Sequence, residues 1–499
     1  MPFERASGVL LHITSLPGPH GSGDLGPAAY HFVDWLVTGG QKLWQILPLG
    51  GIGAGNSPYM SNSAFAGNVL LIDLAALQQS GWLDAQALTP IGELSDARVN
   101  FEPMVRFRMD RLGEACARFQ SDANAAQHAD FDAFCQQQTY WLDDYALFMA
   151  LQEACPGLSW NVWEAGIAKR DPSAIKQASS LHTQRMLFWK FGQWCFSRQW
   201  QALKRYANDR GVQIIGDVPI FIAHQSADVW ARPELFELDA QGFPTVVAGV
   251  PPDGFSATGQ RWGNPLYRWS AHGAEQYRWW TERIRSAWDV VDLVRLDHFR
   301  GFESYWEINA SEPTAMHGRW VKAPGDALLE AITQALGVLP ILAEDLGVIT
   351  PEVDALRQRH GLRGMCVLQF AFGDVFDTMS RYLPHQYSRN SVVYTGTHDN
   401  DTTVGWWQTL SATTQRDVDD YFPGAAQDIA WALIQAACAS VADMAIYPMQ
   451  DVLGLDSDHR MNVPGTGEGN WTWRFQWDQV GPEHARRLHR MAQLYGRLH

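Results

Sequence analysis

Eight short apolar runs recur along the chain, at residues 8–15, 42–49, 212–222, 290–298, 340–347, 365–370, 391–397 and 444–453. Each ends in a turn or a polar cluster. Continuous apolar runs of this length suit parallel strands buried on both faces, not strands with one wet face. Between them, apolar positions recur at helical spacing. Residues 27–36 open with Pro27 at a first helical position and then keep that period. Thr350 and Pro351 supply an N-cap and a first-turn proline, and Gly361 can close that helix in the left-handed region. Asp326 is expected to cap a helix over 327–336 that stops at Gly337. Eight strands alternating with helices predict an α/β fold, the (β/α)8 TIM barrel.

A bare barrel needs about 250 residues, and the chain has 499. Half of it must therefore lie in insertions. The expected organisation is a single catalytic barrel over 1–499. A mainly helical insertion over 68–210 follows the second strand, with helices over 131–153 and 186–206. Another insertion, over 224–274, follows the third strand and is rich in Gly, Pro, Phe and Trp.

Charge narrows the choice of partners. The net charge is −16, and no cluster of Lys and Arg occurs. That argues against nucleic acid and against anionic membrane surfaces. The six cysteines, Cys116, Cys135, Cys155, Cys195, Cys366 and Cys438, form no C-x-x-C or finger-like pair and read as reduced thiols. No long apolar segment follows the first residues, so no signal peptide or membrane span is expected, and a cytoplasmic location follows by default. The 23 tryptophans belong mostly to a large aromatic core. Some can serve instead as flat platforms for sugar rings.

Active sites of such barrels gather at the C-terminal ends of the strands. Acids stand there on four runs: Asp217, Asp297, Glu344 with Asp345, and Asp399. On the fourth run the period of two puts Arg295 and Asp297 on one face, with Val294 and Leu296 on the other. A guanidinium beside a carboxylate favours its ionised form, which a nucleophile needs. The alternative is a structural ion pair closing the barrel top. Glu344 follows apolar Ile341 and Leu342, and apolar surroundings keep a carboxyl protonated, as a general acid requires. The alternative is a solvated loop acid. Two carboxyls of opposite protonation are what glycoside chemistry uses. Asp399 lies between His398 and Asn400. It can steady an oxocarbenium-like transition state and His398 can donate to a sugar hydroxyl, although Asn400 or Asp401 can equally cap a helix over 402–407. Without H-x-H or H-E-x-x-H, His398 is not expected to bind a metal.

The motifs around these acids, taken in order, resemble a known family. They are GVLLHITSLPG at 8–18, SPY at 57–59 with SAFAGN at 63–68, GDVPIF at 216–221, PPDGFS at 251–256 with GQRWGNP at 259–265, RLDHFRG at 295–301, AEDLG at 343–347, THDN at 397–400 and GTGEGNW at 465–471. The catalytic strands are similar to those of the α-amylase clan. The whole chain resembles glycoside hydrolase family 77, the 4-α-glucanotransferases called amylomaltases or disproportionating enzymes. That resemblance implies Asp297 as nucleophile, Glu344 as acid/base and Asp399 as transition-state stabiliser. It implies Tyr59, Asp217, Arg295 and His398 around the transferred sugar, with Asp253, Gln260, Trp262 and Asn470 lining neighbouring subsites. It implies α-1,4-glucans as substrates and a retaining mechanism with no cofactor and no metal. Two positions depart from the family pattern. Ala54 stands where some members carry an aromatic residue of a second glucan site, and Asn309 stands where a proline is expected.

The acids alone do not separate transfer from hydrolysis, since both reactions form the same covalent intermediate. A transferase must disfavour water and hold a sugar hydroxyl. The segment 248–262 is expected to be a lid over the acceptor subsites, with Gly249, Gly254 and Gly259 for mobility, Pro251 and Pro252 for a stiff turn, and Phe255 as an apolar cover. An ordinary surface loop is the alternative. The rival activities are an α-amylase-type hydrolase and a non-catalytic glucan-binding protein.

Overall fold

A computed structural model describes residues 5–498 except 91, 93, 253–255, 339, 374 and 375. Its strands, in chain order, are β1 (Ala6–Leu10), β2 (Leu43–Gln45), β3 (Gln213–Val218), β4 (Val246–Val250), β5 (Gln260–Pro265), β6 (Leu293–Leu296), β7 (Ser304–Asn309), β8 (Gly318–Lys322), β9 (Ile341–Ala343), β10 (Gly364–Val367), β11 (Ser391–Tyr394) and β12 (Met444–Pro448).

The eight apolar runs are the eight strands of one parallel sheet, ordered β10-β11-β12-β1-β2-β3-β6-β9. A parallel bridge between Leu342 and Arg363, with the Ala343 amide donating to the Arg363 carbonyl at 2.7 Å, joins β9 to β10 and closes the barrel. The strands are shorter than the apolar runs because the runs continue into buried turns at the strand ends. Residues Ile13–Ser15 form a 3₁₀ turn after β1, and Met449–Val452 a helical turn after β12. Gly8 is needed for contact: a Cβ there would lie 2.0 Å from the Leu43 carbonyl oxygen on β2.

The helices Pro27–Thr38 and Pro351–Arg359 each carry proline in the first turn, and Gly361, at φ 65°, follows the second. Asp326 is not a cap. The helix Gly325–Leu336 begins earlier, with Pro324 at its N-cap, and Asp326 in its first turn pairs with Arg359 and His360. Between β2 and β3 lie the helices Phe101–Asp122, Ala125–Gln137, Thr139–Ala154, Pro172–Leu181 and Thr183–Asn208. The helix expected over 131–153 is broken at Gln138, whose ψ of 11° leaves the helical region. Beside it Thr139 Oγ donates to the Cys135 and Gln136 carbonyls, the local competition that interrupts a helix. Trp82, Phe119, Phe131, Phe191 and Trp194 pack ring against ring in this region.

A second, antiparallel sheet of order β5-β4-β7-β8 stands beside the barrel mouth. Sequence patterning did not foresee it. Its two halves are far apart in the chain and β8 is mostly exposed, so no apolar run marks that strand. Asn309 ends β7, and its Oδ1 accepts from the Ser311 amide and hydroxyl at 3.0 and 2.8 Å, closing a turn with a side chain that proline lacks. Among the described residues the six cysteines are free, and no helix is long and apolar enough to cross a membrane.

Candidate active site

The strand ends bring Asp217, Arg295, Asp297, Glu344, His398 and Asp399 to one mouth of the barrel, where Tyr59 joins them from the turn Pro58–Met60. Arg295 is the hub. Its Nη1 donates to both Asp217 oxygens at 2.8 and 2.7 Å and lies 2.9 Å from Asp297 Oδ1. The Asp217 side chain is fully buried, whereas that of Asp297 is 28% exposed. The inward face read from the period of two is thus a three-member ion network in which Asp297 keeps an open side.

Glu344 is held differently. Its Oε2 accepts from the His298 amide at 2.6 Å and its Oε1 from the Leu346 amide at 3.0 Å. Burial pushes its carboxyl up to about 8, with Arg295 opposing and Asp297 adding to the rise. His298 reaches Glu344 because it sits in the left-handed region, at φ 50°. A non-glycine residue there carries a cost of about 1–3 kcal/mol, the kind of strain found at functional turns. Asp345, the neighbouring acid, is held outside this network. It is buried, accepts from the Met365 amide at 2.6 Å, and pairs with Arg381 at 2.7 Å and Arg357 at 3.2 Å. Of this pair only Glu344 faces the mouth network.

Asp399 has the most open side chain of the three acids, at 45%. Its Oδ2 lies 3.3 Å from His398 Nε2, and its Oδ1 accepts from Asn462 at 2.7 Å. Arg460 donates to its backbone carbonyl at 3.0 Å. Helix capping does not explain this segment. Asn400 Oδ1 turns back to accept from the Thr397 amide and hydroxyl, and Thr402 caps the helix Thr403–Thr409. Tyr59 closes the circle: its hydroxyl donates to Asp217 at 2.8 Å and meets His398 Nε2 at 2.8 Å, and its ring stacks on His398 at 5.3 Å.

Of the four subsite residues, Gln260 and Trp262 lie on β5. The indole of Trp262 donates to Gln260 at 3.2 Å and sets its edge against His298 at 4.9 Å. Asn470 is occupied with its own loop. Its Oδ1 accepts from the Val463 amide and its Nδ2 donates to Thr466, which pins residues 463–470 together. Asp253, Gly254 and Phe255 fall outside the described residues. Ala54 is exposed. Sequence reasoning missed Asn462, Arg460 and Trp471. The Trp471 ring stands 5.8 Å from Tyr59 and 6.1 Å from His398, on a residue at φ 64°. The signal for Trp471 lay inside the quoted GTGEGNW motif. Asn462 and Arg460 carry no signal apart from their nearness to it.

Among the described residues no group of three or more His, Cys, Asp and Glu is placed to hold a metal ion. What the arrangement offers is a carboxylate paired with a guanidinium, a second carboxyl held protonated, and a third acid that remains open.

The chain is similar to known proteins over nearly its whole length. The family model described as 4-alpha-glucanotransferase, glycoside hydrolase 77, matches residues 11–479. A 4-alpha-glucanotransferase of Thermus thermophilus is 49% identical, with both chains covered in full. One of Synechocystis is 48% identical over 99% of this chain and 98% of its own. Among solved structures, the amylomaltase from Streptococcus agalactiae in complex with acarbose superposes with a TM-score of 0.95, at 38% identity, covering 99% of this chain and all of the other. The chain belongs to the 4-α-glucanotransferases of glycoside hydrolase family 77.

Proposed function

We propose that the chain moves α-1,4-glucan segments between chains by a retaining double displacement, with Asp297, Glu344 and Asp399 as its working acids. Asp297 attacks the anomeric carbon of the donor, and the glycosidic C–O bond breaks. Glu344 gives its proton to the departing oxygen, and a glycosyl–Asp297 ester forms. In the second half the acceptor 4-OH gives its proton to Glu344 and attacks the same carbon, releasing Asp297. Asp399 and His398 hold hydroxyls of the transferred sugar, and the partial charge of the oxocarbenium-like transition state faces Asp297 and Asp399. Tyr59, Asp217 and Arg295 keep that wall in register. Asp253, Gln260, Trp262 and Asn470 are assigned to the neighbouring subsites. The segment 248–262 is assigned as the cover that favours a sugar acceptor over water.

One observation carries this reading. Two carboxyls at one barrel mouth stand in opposite environments, Asp297 against the Arg295 guanidinium at 2.9 Å and Glu344 pushed up to about 8 by burial. Incubation with maltotriose tests it. Glucose together with oligosaccharides longer than maltotriose is expected. Only shorter products would make the chain a hydrolase, and binding without turnover would make it a glucan-binding protein.

A further inference from the structure

A cavity of about 20 Å³ is lined by residues of β1 and the segment after it, by Gln450, Met461 and Trp473, and by His398. Leu10, Leu11, Leu47, Pro448 and Met461 form half of its wall. The polar groups that reach it are His12, Ser15, His398, Gln450 and Trp473. His12 is 6% exposed and Trp473 2% exposed, and neither His12 Nδ1 nor Trp473 Nε1 meets a partner among the described residues. Among the described residues the Ser15 hydroxyl reaches the Met461 sulfur, at 3.9 Å. Gln450 commits its Nε2 to the His459 carbonyl at 3.2 Å, which leaves its Oε1 as an acceptor. Buried polar atoms are nearly always paired, and a cavity of this size with two to four polar neighbours takes one water.

We propose that this cavity is a built site for a single ordered water, which links His12 and Trp473 to the ring of His398 and fixes that ring's tautomer. The hydrogen positions follow from the neighbours. An indole N–H only donates, so Trp473 gives its hydrogen to the water oxygen. Burial drives His12 down to about 3, so its ring is neutral and offers one acceptor nitrogen. The Tyr59 hydroxyl donates to Asp217 and therefore accepts from His398 Nε2. In the neutral ring the Nε2 proton leaves Nδ1 as acceptor. The water, which accepts from Trp473, has two hydrogens for His12 Nδ1 and His398 Nδ1. It thereby favours the tautomer that presents Nε2–H to Tyr59 and Asp399. His12 and Trp473 are positioning residues that act through the water. Their relevance to turnover rests on the proposed placement of His398 against the transferred sugar.

A crystal structure of the free enzyme, at a resolution that shows ordered water, is the first test. One peak within hydrogen-bond reach of His12 Nδ1 and Trp473 Nε1 is expected, and a cavity without density overturns the proposal. The second test is Trp473→Phe, which removes the indole N–H donor together with one of its two fused rings. The ¹⁵N signal of His398 Nδ1 should shift toward that of an acceptor without a hydrogen bond. The kcat for maltotriose should fall about 5-fold, as for one lost hydrogen bond, with KM within about 2-fold, and Tm should drop by a few degrees for the lost buried ring. An unchanged ¹⁵N pattern in the variant overturns the proposal. Should Trp473→Phe not fold, the wild-type density and the wild-type ¹⁵N pattern decide. Both readouts are independent of turnover, so a failed maltotriose assay beside the expected density would count against the function and not against the site.

Discussion

Replacing Glu344 by Gln should do opposite things to activity and to stability at alkaline pH. In the folded chain the Glu344 carboxyl is raised from 4.5 to about 8, with burial the largest cause. The unfolded chain releases that proton near 4.5. Between these values the native state binds one proton more than the unfolded state, so stability falls as pH rises across the window. Each pH unit crossed costs about 1.4 kcal/mol. From pH 5 to 8.5 the wild type should therefore lose about 4 kcal/mol that Glu344→Gln does not lose. The variant has its own fixed cost. An amide cannot accept from both the His298 and Leu346 amides through two oxygens, as the carboxyl does, and one lost bond costs about 1 kcal/mol at every pH.

For a chain of this length about 1 kcal/mol corresponds to about 1 °C in Tm. Scanning calorimetry of both proteins from pH 5 to 9 should show the variant about 1 °C less stable at pH 5 and about 3 °C more stable at pH 8.5. Other titrating groups are common to both proteins and cancel in the difference. A Tm difference that stays flat across this range would refute the claim that Glu344 is held protonated. Over the same range wild-type kcat/KM should fall above pH 8, because the general acid then loses its proton. The variant should lose turnover by at least about 10³-fold at every pH.

Three further perturbations separate the roles of the other residues. Arg295→Met leaves Asp217 and Asp297 without their cation, and calorimetry should show about 3–5 kcal/mol of destabilisation together with loss of maltotriose turnover; a fold that stays unaffected would contradict the three-member network. Asn462→Asp sets a second carboxylate against Asp399, where Asn462 now donates at 2.7 Å, so the acid limb of the kcat/KM profile should move up by about one pH unit, and an unmoved limb would show that Asn462 does not hold Asp399. Asp345→Asn should cost about 3 kcal/mol of stability without moving the alkaline limb that Glu344 governs, and a shifted limb would mean that the two adjacent acids had been assigned the wrong way round.

The contrast between Glu344 and Asp345 shows how far the sequence carries. Barrel and mouth were legible because a parallel strand buried on both faces must be apolar throughout, which leaves its polar ends conspicuous. That logic located Asp217, Asp297, Glu344 and Asp399, and the period of two oriented Arg295 with Asp297. The same logic is silent where partners come from distant loops. Nothing in AEDLG says that Asp345 will meet Arg357 and Arg381, and nothing in the residues around 460 says that Asn462 will reach Asp399. The second sheet escaped notice for the related reason that β4 pairs with β7 across the whole of β6. Asn470 shows the converse. Its place in a motif pointed to a subsite, and nothing in that motif says that its side chain also pins residues 463–470. That loop begins one residue after Asn462 and ends one residue before Trp471. A motif residue that touches no acid can therefore still govern one, because the turn held by Asn470 sets where Asn462 meets Asp399 and where Trp471 meets Tyr59.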